Sequence, residues 1–195
     1  MIKKRLNDQA FTLVEILVVI TVISIVGVII TEIFFNTLKG SNKSSLITKI
    51  KQNGQTALES MDKDIRNADH VLCPIISSGV SASSNILVIE KDRRFTRFSL
   101  IEPSEANSYL AVDYPIAFDN SLCENPDPSA INLTDKNLIK VIQNVNGEKI
   151  FTRNKPASFN DVVSIEFLVA PGFEVTSSLS SQIDPVPFAT SIQIR

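Results

Sequence analysis

The sequence predicts an α+β fold, in which one long N-terminal helix is followed by, and packed on, an antiparallel β-sheet domain. Three observations predict it. The first proline is Pro74, so nothing earlier in the chain forces a helix to break. Residues 11–35 are almost uniformly apolar, and residues 47–68 repeat apolar side chains at three- and four-residue steps, the period of a helix face. Beyond residue 74 the chain turns to short alternating apolar runs separated by Ser, Asn, Asp, Gly and Pro, the texture of strands and turns.

The N-terminal segment sets the location of the chain. Residues 1–10, MIKKRLNDQA, carry Lys3, Lys4 and Arg5. Residues 11–30 are nearly all apolar, and Glu15 is their one charged side chain. About 20 such residues cross a bilayer as a helix, and flanking lysines and arginines stay on the cytoplasmic side. The expected placement is a single pass through the cytoplasmic (inner) membrane, with the leader inside and the rest outside. The apolar run is longer than the roughly 7–15 residues of a secretory signal core. A plain membrane anchor with a stray acid, or a buried core helix, are the other structural readings. An acid within a membrane helix costs a few kcal/mol and marks a functional position by default.

Residues 36–69 continue the helix as an amphipathic half. Gly40 and Ser41 are expected to form a soft point or kink. Ile47, Ile50, Gly54, Ala57 or Leu58, Met61, Ile65 and Ala68 make a narrow apolar stripe. Lys49, Lys51, Glu59, Asp62, Lys63, Asp64 and Arg66 occupy the solvated face. The stripe suits either the chain's own sheet or a coiled-coil partner. The sheet is the expected occupant, because one of its faces must be buried against something.

Residues 70–195 are the sheet domain, long enough for a core of its own. Residues 75–84 read as loop. Residues 85–91 (NILVIEK) and 95–101 (FTRFSLI) read as strands joined by Asp92-Arg93-Arg94. Residues 138–145 and 148–153 flank Asn146-Gly147, a strong short hairpin signal. In 162–169 the alternation puts Val163, Ile165, Phe167 and Val169 on one face, and in 188–195 it does the same for Phe188, Ile192 and Ile194. Residues 102–137 and 170–187 are loop-rich.

Composition and motifs exclude most chemistry. The formal charge is −2, and loss of residues 1–10, with three bases and one acid, would leave −4. A mildly acidic chain without a basic tract is not expected to take nucleic acid as its main partner. His70 is the only histidine; it lies at the expected helix end beside Asp69, and no nucleophile elbow accompanies it, so no hydrolase triad is expected. One histidine and two cysteines do not make a four-ligand zinc site. Asp113, Asp119, Asp127, Asp135 and Asp161 are scattered and form no calcium-loop pattern. No metal, no cofactor and no catalytic residue is expected, and a membrane-tethered enzyme finds no supporting motif. Cys73 and Cys123 both fall in the part expected outside the cytoplasm, where disulfides persist. A bond between them and a pair of free buried thiols are both open.

Residues 10–15, AFTLVE, ahead of an apolar helix resemble the N-terminal cleavage and methylation signal of type IV prepilins and type II secretion pseudopilins. The resemblance implies cleavage by a prepilin peptidase between Ala10 and Phe11, methylation of the Phe11 amine and a role for Glu15 in subunit assembly. The family usually has Gly where this chain has Ala10. A free amine at Phe11, with an ordinary pKa of about 8, would be a cationic partner for Glu15 of the same subunit or of a neighbour shifted along a fibre. The fold implied is the pilin lollipop, divided here into a leader (1–10), a transmembrane half-helix (11–35), an amphipathic half-helix (36–69) and a globular domain (70–195). Residues 57–69, with Asp64-Ile65-Arg66-Asn67-Ala68, and the two alternating C-terminal runs resemble minor subunits of the J or W type. The function implied is that of a minor pilin or pseudopilin at or near a fibre tip, whose partners are other pilins or pseudopilins through the N-terminal helix, the prepilin peptidase and the membrane. The alternative is a pilus-associated adhesin or DNA-uptake module that binds through loops 102–137 and 170–187.

Overall fold

The structure, a computed structural model, describes residues 12–77, 79–143, 147–156, 160–175 and 182–194. A single helix, α1 (Leu13–Arg66), opens it. Thr12 caps this helix: the Glu15 N–H donates to the Thr12 carbonyl at 3.1 Å and lies 3.3 Å from its Oγ1. The helix runs through Gly40 and Ser41 without interruption, so the expected soft point is not there. One glycine costs a helix only about 1 kcal/mol relative to alanine, and no proline adds to it.

The chain divides into two units, residues 1–44 and 45–195. In the first, residues 12–42 are all exposed. In the second, Leu46, Ile50, Gly54, Ala57, Met61 and Ile65 are buried. Steps of three and four keep these six on one face of the helix. Full burial of each large member is worth about 1.5–3 kcal/mol, so the stripe is taken up by the chain's own sheets. The opposite face is solvated, with an Arg66–Asp62 pair at 2.7 Å one turn apart. The N–H of Asp69 then donates to the Glu90 carbonyl at 2.8 Å, which hands the chain from helix to sheet.

Ten strands follow among the described residues: β1 (His70–Cys73), β2 (Ser81–Ser84), β3 (Ile86–Lys91), β4 (Arg94–Ile101), β5 (Tyr109–Asp113), β6 (Ile131–Asn132), β7 (Ile139–Ile142), β8 (Phe151–Asn154), β9 (Val162–Pro171) and β10 (Val186–Gln193). All pairings are antiparallel. One sheet has the order β1-β3-β4-β5-β6, the other β10-β9-β8-β2, with β7 also on β9. The fold class is α+β, as the sequence predicts.

The hairpin β3–β4 turns in two residues. Asp92 and Arg93 both have positive φ, 49° and 60°, as a type I′ turn requires. The Asp92 N–H donates to Asp69 Oδ2 at 2.9 Å, tying the turn to the helix end. In the second sheet Val163, Ile165, Phe167 and Val169 are buried as expected, with Phe188 and Ile192 opposite them. The Phe188 ring stacks on Phe167 with centroids 5.4 Å apart, and it occupies the space a side chain at Gly54 would need.

Three further expectations fail. β7 and β8 do not pair with each other; they lie one after the other along the same edge of β9. The ten residues of β9 accommodate both, and two ladders on a central strand outweigh one local turn preference. Gly147 keeps its positive φ of 70°, while Asn146 lies outside the described residues. Residues expected as loop contain β2, β5 and β6. His70 begins β1 and does not lie at the helix end, which falls at Arg66.

Candidate assembly site on the N-terminal helix

The first unit presents an apolar cylinder with one acid near its start. Every apolar side chain from Leu13 to Leu38 is exposed, and this helix is long and apolar enough to cross a membrane. Its hydroxyls need no outside partner. Thr21, Ser24, Thr31 and Thr37 each donate to the carbonyl four residues back, at 2.7–2.8 Å. Such back-bonding removes the cost of a bare hydroxyl in lipid. That leaves Glu15 and Glu32 as the charged groups of the span, and no described side chain donates to the Glu15 carboxylate.

Glu15 occupies the third helical position after the Thr12 cap. Thr-x-x-Glu is a capping box, in which the cap hydroxyl takes one orphan N–H and the acid faces another. An acid in the first turn also meets the positive end of the helix dipole, worth about 0.3–1 kcal/mol when exposed. The position therefore holds a carboxylate beside the helix start for a local reason, where it is also available to a cation. The TLVE pattern of residues 12–15 carries this signal in the sequence, but the sequence reading did not draw the cap from it. Ala10 and Phe11 lie outside the described residues.

The other singled-out residues fall in the second unit. Cys73 at the end of β1 is bonded to Cys123, across a Cα–Cα distance of 5.5 Å. Cys123 closes a 3-10 turn, Asn120–Cys123, capped by Asp119. Asp119 accepts from the hydroxyl of Ser121 and then from its backbone N–H, which hold its carboxyl below the usual range. Asp127 is lowered in the same way by Ser129, with a smaller contribution from Arg97. Arg97 is buried and bidentate to Asp113, at 2.8 and 2.9 Å, and donates to the Asn125 carbonyl at 2.7 Å. Together the disulfide and Arg97 pin the 114–130 segment to the first sheet. Asp161 pairs with buried Arg153 at 2.7 Å. Asp135 accepts the N–H of Asn137, closing its own turn. These acids are engaged in separate structural contacts, and among the described residues no group of three His, Cys, Asp or Glu side chains could hold a metal. His70 is exposed.

One more surface stands out, at the β3–β4 turn. A hollow there is lined by Lys91, Asp92, Arg93, Arg94, Phe95, Tyr114 and Ile116, among others. Ile116 is 100% exposed and Tyr114 62%. The sequence reading counted 102–137 as a candidate binding loop but did not join it to this basic turn.

The prokaryotic N-terminal methylation motif matches residues 5–31 of this chain. Over this segment the chain is type IV pilin- or pseudopilin-like. The match takes in residues 5–10, Phe11, Glu15 and most of the apolar run, and the α+β architecture with a long N-terminal helix agrees with it. Motif and fold together point to a structural, membrane-anchored subunit of the pilin or pseudopilin kind. No curated protein and no solved structure shows significant similarity to this pilin-like chain.

Proposed function

We propose that this pilin-like chain is a minor pilin or pseudopilin, similar to the J or W type, built into a short fibre at or near its tip. The prepilin peptidase cuts after Ala10, and the new Phe11 amine is methylated. The leader faces the cytoplasm, residues 11–35 span the inner membrane, and the domain beyond the helix lies outside. Other pilins or pseudopilins are the partners, met through the N-terminal helix. The observation that supports this most is the exposed apolar first part of α1, residues 12–42, which begins on a Thr12 cap with the Glu15 carboxylate in its first turn. A helix of that kind has no use for its surface except lipid and other such helices.

Glu15 carries the assembly step in this reading. Its carboxylate pairs with the cationic Phe11 amine of a neighbouring subunit. Removing the charge lowers the insertion cost by a few kcal/mol, yet it strands a cation among apolar helices. The two effects have opposite signs. Glu15→Leu is therefore expected to stay in the membrane and be cut normally, but to crosslink poorly to other fibre subunits. Normal incorporation of a correctly cut Glu15→Leu subunit would refute this role.

A second reading is favoured by the hollow at the β3–β4 turn. An adhesin or DNA-uptake module would place its ligand on Lys91, Arg93 and Arg94, with Tyr114 and Ile116 as apolar contacts from the 102–137 loops. Loss of ligand capture in Arg93→Glu with fibre incorporation intact would favour it.

A further inference from the structure

The ion pairs of the second unit leave one set of cations over. Among the described residues Arg66 holds Asp62, Arg97 holds Asp113 and Arg153 holds Asp161, at 2.7–2.8 Å. The side chains of Lys91, Arg93 and Arg94 are exposed and meet no carboxylate or other described hydrogen-bond partner. Asp92 is the one acid in the hollow they line. Arg93 also stands where arginine is disfavoured. Its φ of 60° lies in the left-handed region, which Gly or Asn enters at lower cost. An exposed turn has no packing need for such a residue, and strain of this kind gathers at functional positions.

Apolar surface lies beside these cations. Phe95 is half-buried, with its ring 6.1 Å from that of Phe118. Tyr114 and Ile116 stand out from the segment that follows β5 and add their exposed side chains to the hollow. Its volume of about 820 Å³ falls within the roughly 300–1,000 Å³ of ligand sites. The adjoining segment 114–130 carries Asp119, Glu124 and Asp127 and no Lys or Arg. Positive charge is therefore confined to one turn and bordered by acids. A long polyanion such as nucleic acid needs a basic track, and beyond this turn it would meet carboxylates. A short acidic segment fits within the turn and avoids them.

We propose that this hollow docks an acidic peptide segment of a partner protein, with its carboxylates on Arg93, Arg94 and Lys91 and an apolar side chain against Tyr114 and Ile116. The guanidinium fork takes a carboxylate through two parallel bonds, and both arginines have their forks free. Exposed ion pairs are individually weak, so the apolar contact is a necessary part of the site. The inference rests on the second reading given above, in which the hollow takes a ligand, and narrows that ligand to acidic polypeptide. It does not depend on the position of the chain in a fibre.

The test uses the full chain in detergent and a dye-labelled peptide of alternating Glu and Leu. Fluorescence anisotropy is expected to show binding that weakens with salt and that the matching peptide of Lys and Leu lacks. Arg93→Gly with Arg94→Ala is expected to weaken it about tenfold. Lys49→Ala with Lys51→Ala removes the same charge from exposed positions of α1 and is expected to leave it unchanged. Ile116→Ser, at a fully exposed side chain, is expected to weaken it about threefold with the same salt dependence. Arg93→Gly alone relieves the left-handed strain, so it should bind less peptide without lowering the urea midpoint. A lower midpoint with binding intact would make Arg93 a residue of the fold and overturn the inference. Unchanged binding in the Arg93 and Arg94 double variant, or an equal loss in the Lys49 and Lys51 one, would also overturn it. Preference for a single-stranded oligonucleotide of equal charge would overturn it and leave the second reading standing; binding of neither probe would overturn both.

Discussion

Gly54→Ala sets two known effects against each other at the centre of the helix–sheet contact. Alanine in a helix interior is favoured over glycine by about 0.8–1 kcal/mol. At Gly54 the new methyl would stand closer than 3.0 Å to three carbons of the Phe188 ring. That ring is not free to swing away, since it is 9% exposed and stacks on Phe167 at 5.4 Å with 17° between the planes. Overpacking of this kind costs about 1–3 kcal/mol, so the clash outweighs the propensity gain and the net change is a destabilisation of up to about 2 kcal/mol. Gly40 is the control. It is exposed on the same helix with nothing within 4 Å, so Gly40→Ala should stabilise the helix there. Phe188→Leu removes the ring, and the double variant should recover most of what Gly54→Ala loses relative to Phe188→Leu. The assay is urea unfolding of a soluble fragment beginning at residue 36. A Gly54→Ala fragment more stable than its parent would refute the packing of Phe188 on this helix face.

Ile65 is fully buried in the main core, so Ile65→Asp places a carboxylate among apolar side chains, and the fragment is expected to show no cooperative melt by circular dichroism. Cys123→Ser opens a link spanning 50 residues; chain entropy alone gives a loss of about 4 kcal/mol, read as a lower urea midpoint and faster proteolysis within 114–130. The carboxyls of Asp119 and Asp127 are held below their ordinary value by Ser121 and Ser129. A lowered folded pKa means the stabilisation is present above the unfolded value, near 3.9, and is lost as pH falls through the folded one. Amide protection of Ser121 and Ser129 should therefore stay level down to about pH 4 and drop below it.

The helix and the best strands were legible because their periods are. The predicted stripe is buried from Ile50 through Gly54, Ala57, Met61 and Ile65 to Ala68, while at its start Ile47 is half-buried and Leu46 is buried instead; Val163, Ile165, Phe167 and Val169 of β9 are buried as their alternation predicts. The strands that were missed lack such a signal. β2 is SASS, which has no apolar face. β5, YLAVD, is short and sits in a stretch rich in Ser, Pro and Asp. β1 follows the helix so closely that His70 read as its end. Asn146-Gly147 misled because turn preference is local, whereas the choice between β8 and β9 as partner for β7 is made by the whole sheet. The buried pairs Arg97–Asp113 and Arg153–Asp161 need strand register to bring them together, and register is not written in composition. At the candidate site the motif match spans residues 5–31, and the cap that Thr12 provides for Glu15 was present in the same letters but was not read from them.

The measurement that bears most directly on the account is the mature N-terminus. The full chain, produced with a prepilin peptidase and extracted from the membrane, is read by mass spectrometry of its N-terminal peptide. The account predicts a chain beginning at Phe11 with one methyl group on its amine, no such product from Ala10→Leu, and undiminished product from Ala10→Gly. A mature chain that retains Met1, or that begins anywhere other than Phe11, would contradict it.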